Sequence, residues 1–166
     1  YGMPKELLFG DKYIIEKLGE YEFEISADSF FQTNSIQALN LYEYIKNEVI
    51  SNEKKIIYDF YCGTGTISLF LSKYAKKVFG FEIVESAIID AKKNAIRNHV
   101  NNTEFHCGDL SKMLKNFRDL ISKNPCDILI LDPPRAGIHE NTLNEILTFN
   151  SKKIIYVSCN PSTQAR

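Results

Sequence analysis

The sequence predicts an α/β fold built on a doubly wound, mostly parallel sheet. Three observations carry that prediction. The apolar run Ile56 to Phe60 leads into a turn punctuated by glycines, Tyr61-Cys62-Gly63-Thr64-Gly65. A helical spacing follows at once, with Ile67, Phe70, Leu71 and Tyr74 recurring on one face. Further strand-like runs then alternate with helical stretches, and each strand ends in polar residues. In such a fold, ligands bind outside the carboxyl ends of the strands, at the switch point beside the first strand. Gly63 and Gly65 let the backbone approach a ligand closely.

The turn is not a dinucleotide fingerprint. A pyrophosphate site calls for G-x-G-x-x-G, and here Ser68 stands in the third glycine position. The next strand, Val78 to Phe81, ends in Glu82, whose carboxylate can accept hydrogen bonds from both hydroxyls of a ribose. A glycine turn with an acid at the end of the following strand suggests an adenosine-containing ligand without a pyrophosphate cradle. A tight βα turn with no ligand is the competing reading.

The length, 166 residues, suits one domain with a sizeable core. Hydrophobic and charged fractions are ordinary for a globular protein, and a net charge of −1 gives no global attraction to nucleic acid, though a local patch would suffice. No secretory segment opens the chain and no apolar run is long enough to span a bilayer. Cys62, Cys107, Cys126 and Cys159 form no C-x-x-C pair, which argues against a metal centre and for free thiols in a reducing cytoplasm.

Residues 1–27 read as a small β meander linked to a preceding domain. Glu6 to Phe9 and Lys12 to Ile15 flank Gly10-Asp11, a hairpin-turn dipeptide; Gly19-Glu20 marks a second turn, after which Tyr21, Phe23 and Ile25 alternate with Glu22 and Glu24. Residues 28–166 form the main domain. Phe30, Phe31 and Gln32 precede a helix capped by Thr33 or Asn34, with Ile36, Leu39, Tyr42, Ile45 and Val49 on its buried face. Packing onto the sheet and exposure at its mouth both remain open for the two aromatics. Gln32 is either a ligand-bonding amide or a solvated residue. Val84, Ala87, Ile88, Ala91, Ala95 and Ile96 make the next amphipathic helix, with Lys92, Lys93 and Arg97 on a solvated face.

The third strand, Thr103 to Cys107, is followed by Asp109, where an acid can bond an adenine amino group; His106 is strand filler. Met113 to Ile121 reads as a short helix. Asp127 to Leu131 is a continuous apolar run, as expected of a parallel strand buried on both faces. It ends in Asp132-Pro133-Pro134-Arg135, where two prolines stiffen the loop and hold Asp132 and Arg135 at the sheet mouth. A last strand, Lys153 to Val157, runs into Ser158-Cys159-Asn160-Pro161.

Four strands thus end at Tyr61–Thr66, Glu82, Asp109 and Asp132, and a fifth ends at Cys159. The combination resembles the S-adenosylmethionine-dependent methyltransferases, and more closely the RNA uracil-C5 methyltransferases, which make 5-methyluridine in tRNA or rRNA. The resemblance rests on Phe30-Phe31-Gln32-Thr33-Asn34, on Asp59 to Thr66, on Asp132-Pro133-Pro134-Arg135-Ala136-Gly137 and on Ser158-Cys159-Asn160-Pro161. The pairing of the last two, in this order and spacing, is its most specific part.

The resemblance implies a Rossmann-like class I methyltransferase sheet. It implies that Gln32, Tyr61, Gly63, Gly65, Thr66, Glu82, Asp109 and Asp132 contact S-adenosylmethionine, that Cys159 is the nucleophile, that RNA is the partner, and that no metal sits here. A cysteine is needed because carbon 5 of uracil is too weak a nucleophile to take a methyl group unaided. Thiolate addition at carbon 6 makes carbon 5 enolate-like, so one hard step becomes easier ones. The target base must leave any stack to be reached.

In the family the deprotonating base is a glutamate downstream of the S-C-N-P element, followed by the closing strands of the sheet. The expectation is therefore a central part of a larger enzyme, incomplete at its C-terminal sheet edge, with cofactor site and nucleophile but without the base. His139 and Glu140 are the internal candidates should a base lie within the chain. Two alternatives stand beside this reading. One is an exocyclic-amino methyltransferase, whose D-P-P loop carries a following aromatic where this chain has Arg135. The other is a non-catalytic module that holds cofactor or RNA.

Overall fold

The computed structural model describes Leu7, residues 9–27 and residues 29–158. The elements run β1 (Tyr13–Leu18), β2 (Tyr21–Ser26), α1 (Ser35–Val49), β3 (Lys55–Phe60), α2 (Thr66–Ser72), β4 (Ala75–Glu82), α3 (Glu85–Arg97), β5 (Thr103–Cys107), α4 (Leu110–Asn116), α5 (Arg118–Lys123), β6 (Ile128–Leu131), α6 (Glu140–Leu147) and β7 (Lys153–Tyr156). Strands β3 to β7 form one parallel sheet in the order β5-β4-β3-β6-β7. The chain winds outward from β3 in one direction and then returns to β3's other edge. The switch point therefore lies between β3 and β6, at the exit of the glycine turn.

Side chains alternate across the sheet with the strand period of two. Ile57, Val78, Ile128 and Ile130 face α1, α2 and α3. Tyr58, Phe60, Phe79, Phe81, Leu129 and Leu131 face α4 and α6. The second face is an aromatic stack: Tyr58 lies 4.9 Å from Phe79 and meets Phe149 edge-on at 5.0 Å. Each fully buried ring there contributes roughly 1.5–3 kcal/mol through removal from water. His106 belongs to this packing, 5.1 Å from Phe81 and 4.7 Å from Phe117, which agrees with its reading as strand filler. Among the described residues no helix is long and apolar enough to cross a membrane.

Of the two turns read from the sequence, Gly19-Glu20 closes a hairpin and Gly10-Asp11 does not. Glu6 and Leu8 lie outside the described residues, and Leu7 and Phe9 are not in a strand. The hairpin turns at Gly19-Glu20 and pairs β1 with β2 in the register Leu18↔Tyr21 to Tyr13↔Ser26. Burial selects this register, because it sends Tyr21, Phe23 and Ile25 into the core beside Phe70 and Phe31.

Among the described residues the outer edge of β2 has no strand partner. Its alternate amides are met instead by side chains of α3: Ser26 N–H donates to Asp90 Oδ2 at 3.0 Å, Glu24 N–H to Asn94 Oδ1 at 2.7 Å and Glu22 N–H to Asn98 Oδ1 at 2.9 Å. Four residues of helix rise about 6 Å and two residues of strand about 6.7 Å, so the two periods nearly match. The helix thereby covers an edge that would otherwise be open.

Several assignments of faces are corrected. Ile36 is 74% exposed and Ala38 takes its place in the core, because the helix starts one residue before Ile36 and turns it outward. In α3, Ile96 and Val84 are exposed, and the buried positions include Asp90 and Asn94, which face the hairpin. Lys93 and Arg97 are not simply solvated: both grip Glu24, at 2.8 and 2.9 Å, and the Lys93 bond leads in holding its carboxyl below the usual range. The single helix expected over Met113–Ile121 is two, broken at Phe117.

Candidate functional site

The carboxyl ends of β3, β4 and β5 open onto a cleft of about 420 Å³ whose lining includes Tyr61, Glu82, Asp109, Ser111 and His139. Tyr61 leaves β3 with φ +66, a left-handed conformation that costs a non-glycine residue roughly 1–2 kcal/mol and turns the chain sharply into the glycine loop. Burial, then the nearby Tyr156, Asp109 and Glu82, raise the Tyr61 hydroxyl's pKa above its ordinary value.

Glu82 is held from two sides. Its Oε1 accepts the N–H groups of Ile83 and Val84 at 2.7 and 3.0 Å, where α3 begins, and its Oε2 accepts Gly63 N–H at 3.2 Å. The acid at the end of the second sheet strand is thus tied directly to the glycine turn. Its remaining lone pairs are available to hydroxyl donors at the cleft.

The two glycines serve different ends. Gly65 has φ +80, and a Cβ there would stand 2.9 Å from Phe105 and 3.1 Å from Ala91, so the protein's own packing demands it. Gly63 has φ +52, and a Cβ would meet nothing within 4 Å. The open volume over Gly63 is where a ligand can press on the backbone. At Gly65 the packing against Phe105 and Ala91 is by itself a sufficient reason for the glycine.

Asp109 caps α4: its Oδ1 accepts the N–H and the hydroxyl of Ser111 at 2.9 and 2.7 Å, and these bonds hold its carboxyl below the usual range. It lies across the cleft from Tyr61, with His139, the cap of α6, on the same rim. Ser111, Asn141 and Thr142, also at the cleft, were not singled out from the sequence. They stand two or three residues after the capping residues Asp109 and His139, which was the one signal that could have found them.

Thr66, Asp132 and Gln32 do not line this cleft. Thr66 opens α2 and its hydroxyl accepts from Tyr42 of α1 at 3.0 Å. Asp132 leaves β6 half-buried, and burial lifts its carboxyl to about 6. Gln32 is half-buried between β2 and α1. Phe31 packs on Phe23, whereas Phe30 is 73% exposed. Cys159 lies outside the described residues. Of the remaining cysteines, Cys62 and Cys126 are buried and Cys107 is exposed.

Asp59, not assigned a role from the sequence, lies below the sheet mouth and outside the cleft's lining. It is fully buried at the end of β3, and burial, with Asp132 nearby, lifts its carboxyl to about 7 against the opposing bond from Ser68. The arrangement is therefore a row of three acids, Glu82, Asp59 and Asp132, around the exit of β3.

The profile of the tRNA (Uracil-5-)-methyltransferase family matches residues 3–166. An uncharacterized RNA methyltransferase of Caldanaerobacter subterraneus subsp. tengcongensis is 45% identical over 161 residues, covering 97% of this chain and 35% of the relative. A second, from Clostridium tetani, is 43% identical over 157 residues, covering 95% and 33%. Among solved structures, the tRNA (uracil-54, C5)-methyltransferase of Pyrococcus abyssi, in complex with S-adenosyl-L-homocysteine, superposes with a TM-score of 0.75 at 36% identity, covering 95% of this chain and 37% of that one. A SAM-dependent methyltransferase of Agrobacterium tumefaciens shares the fold, with a TM-score of 0.69 at 20% identity, covering 99% of this chain and 58% of that one. The chain spans about a third of the length of the curated relatives it matches. The doubly wound sheet is thus the Rossmann-like fold of these methyltransferases, and with the family profile matching nearly end to end, the chain belongs to the tRNA (uracil-5-)-methyltransferase family.

Proposed function

We propose that this chain supplies the S-adenosylmethionine site and the nucleophile of an enzyme that methylates carbon 5 of a uridine in tRNA or rRNA. The observation that carries the reading is the clamp of Glu82 on Gly63 beside open space at that glycine, with Tyr61 and Asp109 on the same cleft. The residues fit the cofactor in kind. Glu82 takes the ribose hydroxyls and Asp109 the adenine amino group. Tyr61 packs beside the nucleoside. Gln32, Thr66 and Asp132 serve the methionine end, where Asp132 faces positive charge. When bound, the cofactor supplies an electrophilic methyl group on sulfur.

In this reading the Cys159 thiolate adds to carbon 6 of the uracil, and the electron pair moves onto carbon 5 and the carbonyl at carbon 4. Carbon 5 takes the methyl group, a base removes the carbon-5 proton, and elimination returns the thiolate. The reading assigns that base to a glutamate outside residues 1–166. His139 is not the choice within the chain, since it caps α6 through its own Nδ1 at the nucleoside cleft.

The test is the full-length protein on unmodified RNA. Cys159→Ala should abolish 5-methyluridine formation, and 5-fluorouridine RNA should trap a covalent adduct with the wild type alone, because fluorine cannot leave as a proton. Full activity of the Cys159→Ala variant would remove the covalent mechanism.

A further inference from the structure

We infer that Asn94 is a positioning residue that ties the cofactor turn to the N-terminal hairpin, so that hairpin docking and cofactor affinity are coupled through one side-chain amide. The inference rests on reading the glycine turn as the cofactor cradle.

Asn94 is fully buried on α3. Its Oδ1 accepts Glu24 N–H at 2.7 Å, and its Nδ2 donates to Glu24 O at 3.1 Å and to Thr64 O at 3.3 Å. Both amide hydrogens are thereby used, one on each side. Asn98, one helical turn on, makes the same pair of bonds to Glu22 N–H and Glu22 O, at 2.9 and 2.8 Å, but its other contact is Asn94 O of its own helix. Asp90 reaches Ser26 and Ser29. Of the three rungs joining α3 to β2, the middle one alone extends to the glycine turn.

The turn depends on that rung. Thr64 is buried and its own hydroxyl has no partner among the described residues. Its carbonyl is fixed by Asn94, while the neighbouring Gly63 N–H is fixed by Glu82. The turn is therefore clamped at two adjacent residues by the two ends of one unit: Glu82 where β4 ends and Asn94 three turns into α3. Releasing Thr64 O leaves the Thr64–Gly65 peptide held only by the Gly65 N–H bond to Cys62 O at 2.9 Å, and so loosens the turn next to Gly63. Because the same amide holds β2, the coupling must run both ways.

The experiment is calorimetric binding of S-adenosylhomocysteine to the full-length protein and its Asn94→Ala, Asn98→Ala and Glu82→Ala variants, with melting temperatures. Both asparagine variants should melt earlier, since each loses a rung to the hairpin. Asn94→Ala should weaken binding tenfold or more, and Asn98→Ala less than twofold. Equal weakening by the two, or none by Asn94→Ala while Glu82→Ala binds poorly, overturns the coupling and leaves the cradle standing. No weakening by Glu82→Ala overturns the cradle and the inference with it. Should Asn94→Ala not fold, hydrogen exchange of the wild type decides: saturating S-adenosylhomocysteine should slow exchange of the Glu24 amide more than that of Glu22, and an unchanged Glu24 amide overturns the proposal.

Discussion

The Ser68 hydroxyl, in the first turn of α2, donates to Asp59 Oδ2 at 2.6 Å, while Asp59 Oδ1 is buried without a hydrogen-bond partner among the described residues. Burial outweighs what Ser68 offers the carboxylate, and the charge of Asp132 adds to it, so Asp59 is lifted to about 7 in the folded state. The folded chain then holds a proton between pH 4 and 7 that the unfolded chain gives up. Stability should fall as pH rises through that window and level off above it. The carboxyl's contribution to the fall is on the order of 4 kcal/mol. Urea midpoints at pH 5 and pH 8 check this: Asp59→Asn should flatten the difference, and an unchanged slope would assign it elsewhere.

Asp132 makes a prediction about binding. Burial lifts it to about 6, and a ligand carrying sulfonium and ammonium charges prefers its ionised form. Affinity for S-adenosylmethionine should rise about tenfold between pH 5 and pH 7 as the carboxyl ionises, then plateau. Asp132→Asn should bind more weakly at pH 7, remove its part of the rise and leave melting nearly unchanged. Titration calorimetry at the two pH values reads all three.

Glu82→Ala should weaken S-adenosylhomocysteine binding by roughly 1.5–3 kcal/mol, the loss of charge-assisted bonds to a ribose. Glu82→Gln keeps an acceptor but not the charge, and should fall between. Binding equal to wild type in both would overturn the reading of the glycine turn and Glu82 as the cofactor cradle.

Gly65→Ala and Gly63→Ala should fail differently. The first forces a Cβ against Phe105 and Ala91 at positive φ and should destabilise the fold by about 2 kcal/mol or more. The second meets open space and should cost only the conformational strain, roughly 1 kcal/mol, while sharply reducing cofactor affinity. Melting and binding measured together separate the two, and a Gly63→Ala protein that binds normally would show that the ligand does not press on this turn.

The sheet was legible because parallel strands buried on both faces read as continuous apolar runs, as Ile128–Leu131 does, and because the turn after β3 carries its own punctuation. The rim acids Glu82, Asp109 and Asp132 were legible from their places at strand ends. Asp59 and Asn94 were not: one is an acid inside an apolar strand, the other an amide among helix charges. Nothing local reveals that Ser68 or Thr64 answers them. Lys93 and Arg97 read as solvated because their partner Glu24 stands 69 and 73 residues away. The Gly19-Glu20 hairpin was legible from its turn and from the alternation of Tyr21, Phe23 and Ile25, whereas the strand read over Glu6 to Phe9 is not found at Leu7 and Phe9, which no core residue fixes in place.

The rungs between β2 and α3 also set an order of events at the ribosome. Glu22 is made 76 residues before the Asn98 that covers it. At ~5–20 residues per second, the outer edge of β2 waits roughly 4–15 s for its helix. A hairpin formed within that interval has an open ladder beside Tyr21, Phe23 and Ile25, the form most prone to pair with another chain. The charged Glu22 and Glu24 on that strand guard it until α3 emerges, after which Glu24 becomes the anchor for Lys93 and Arg97.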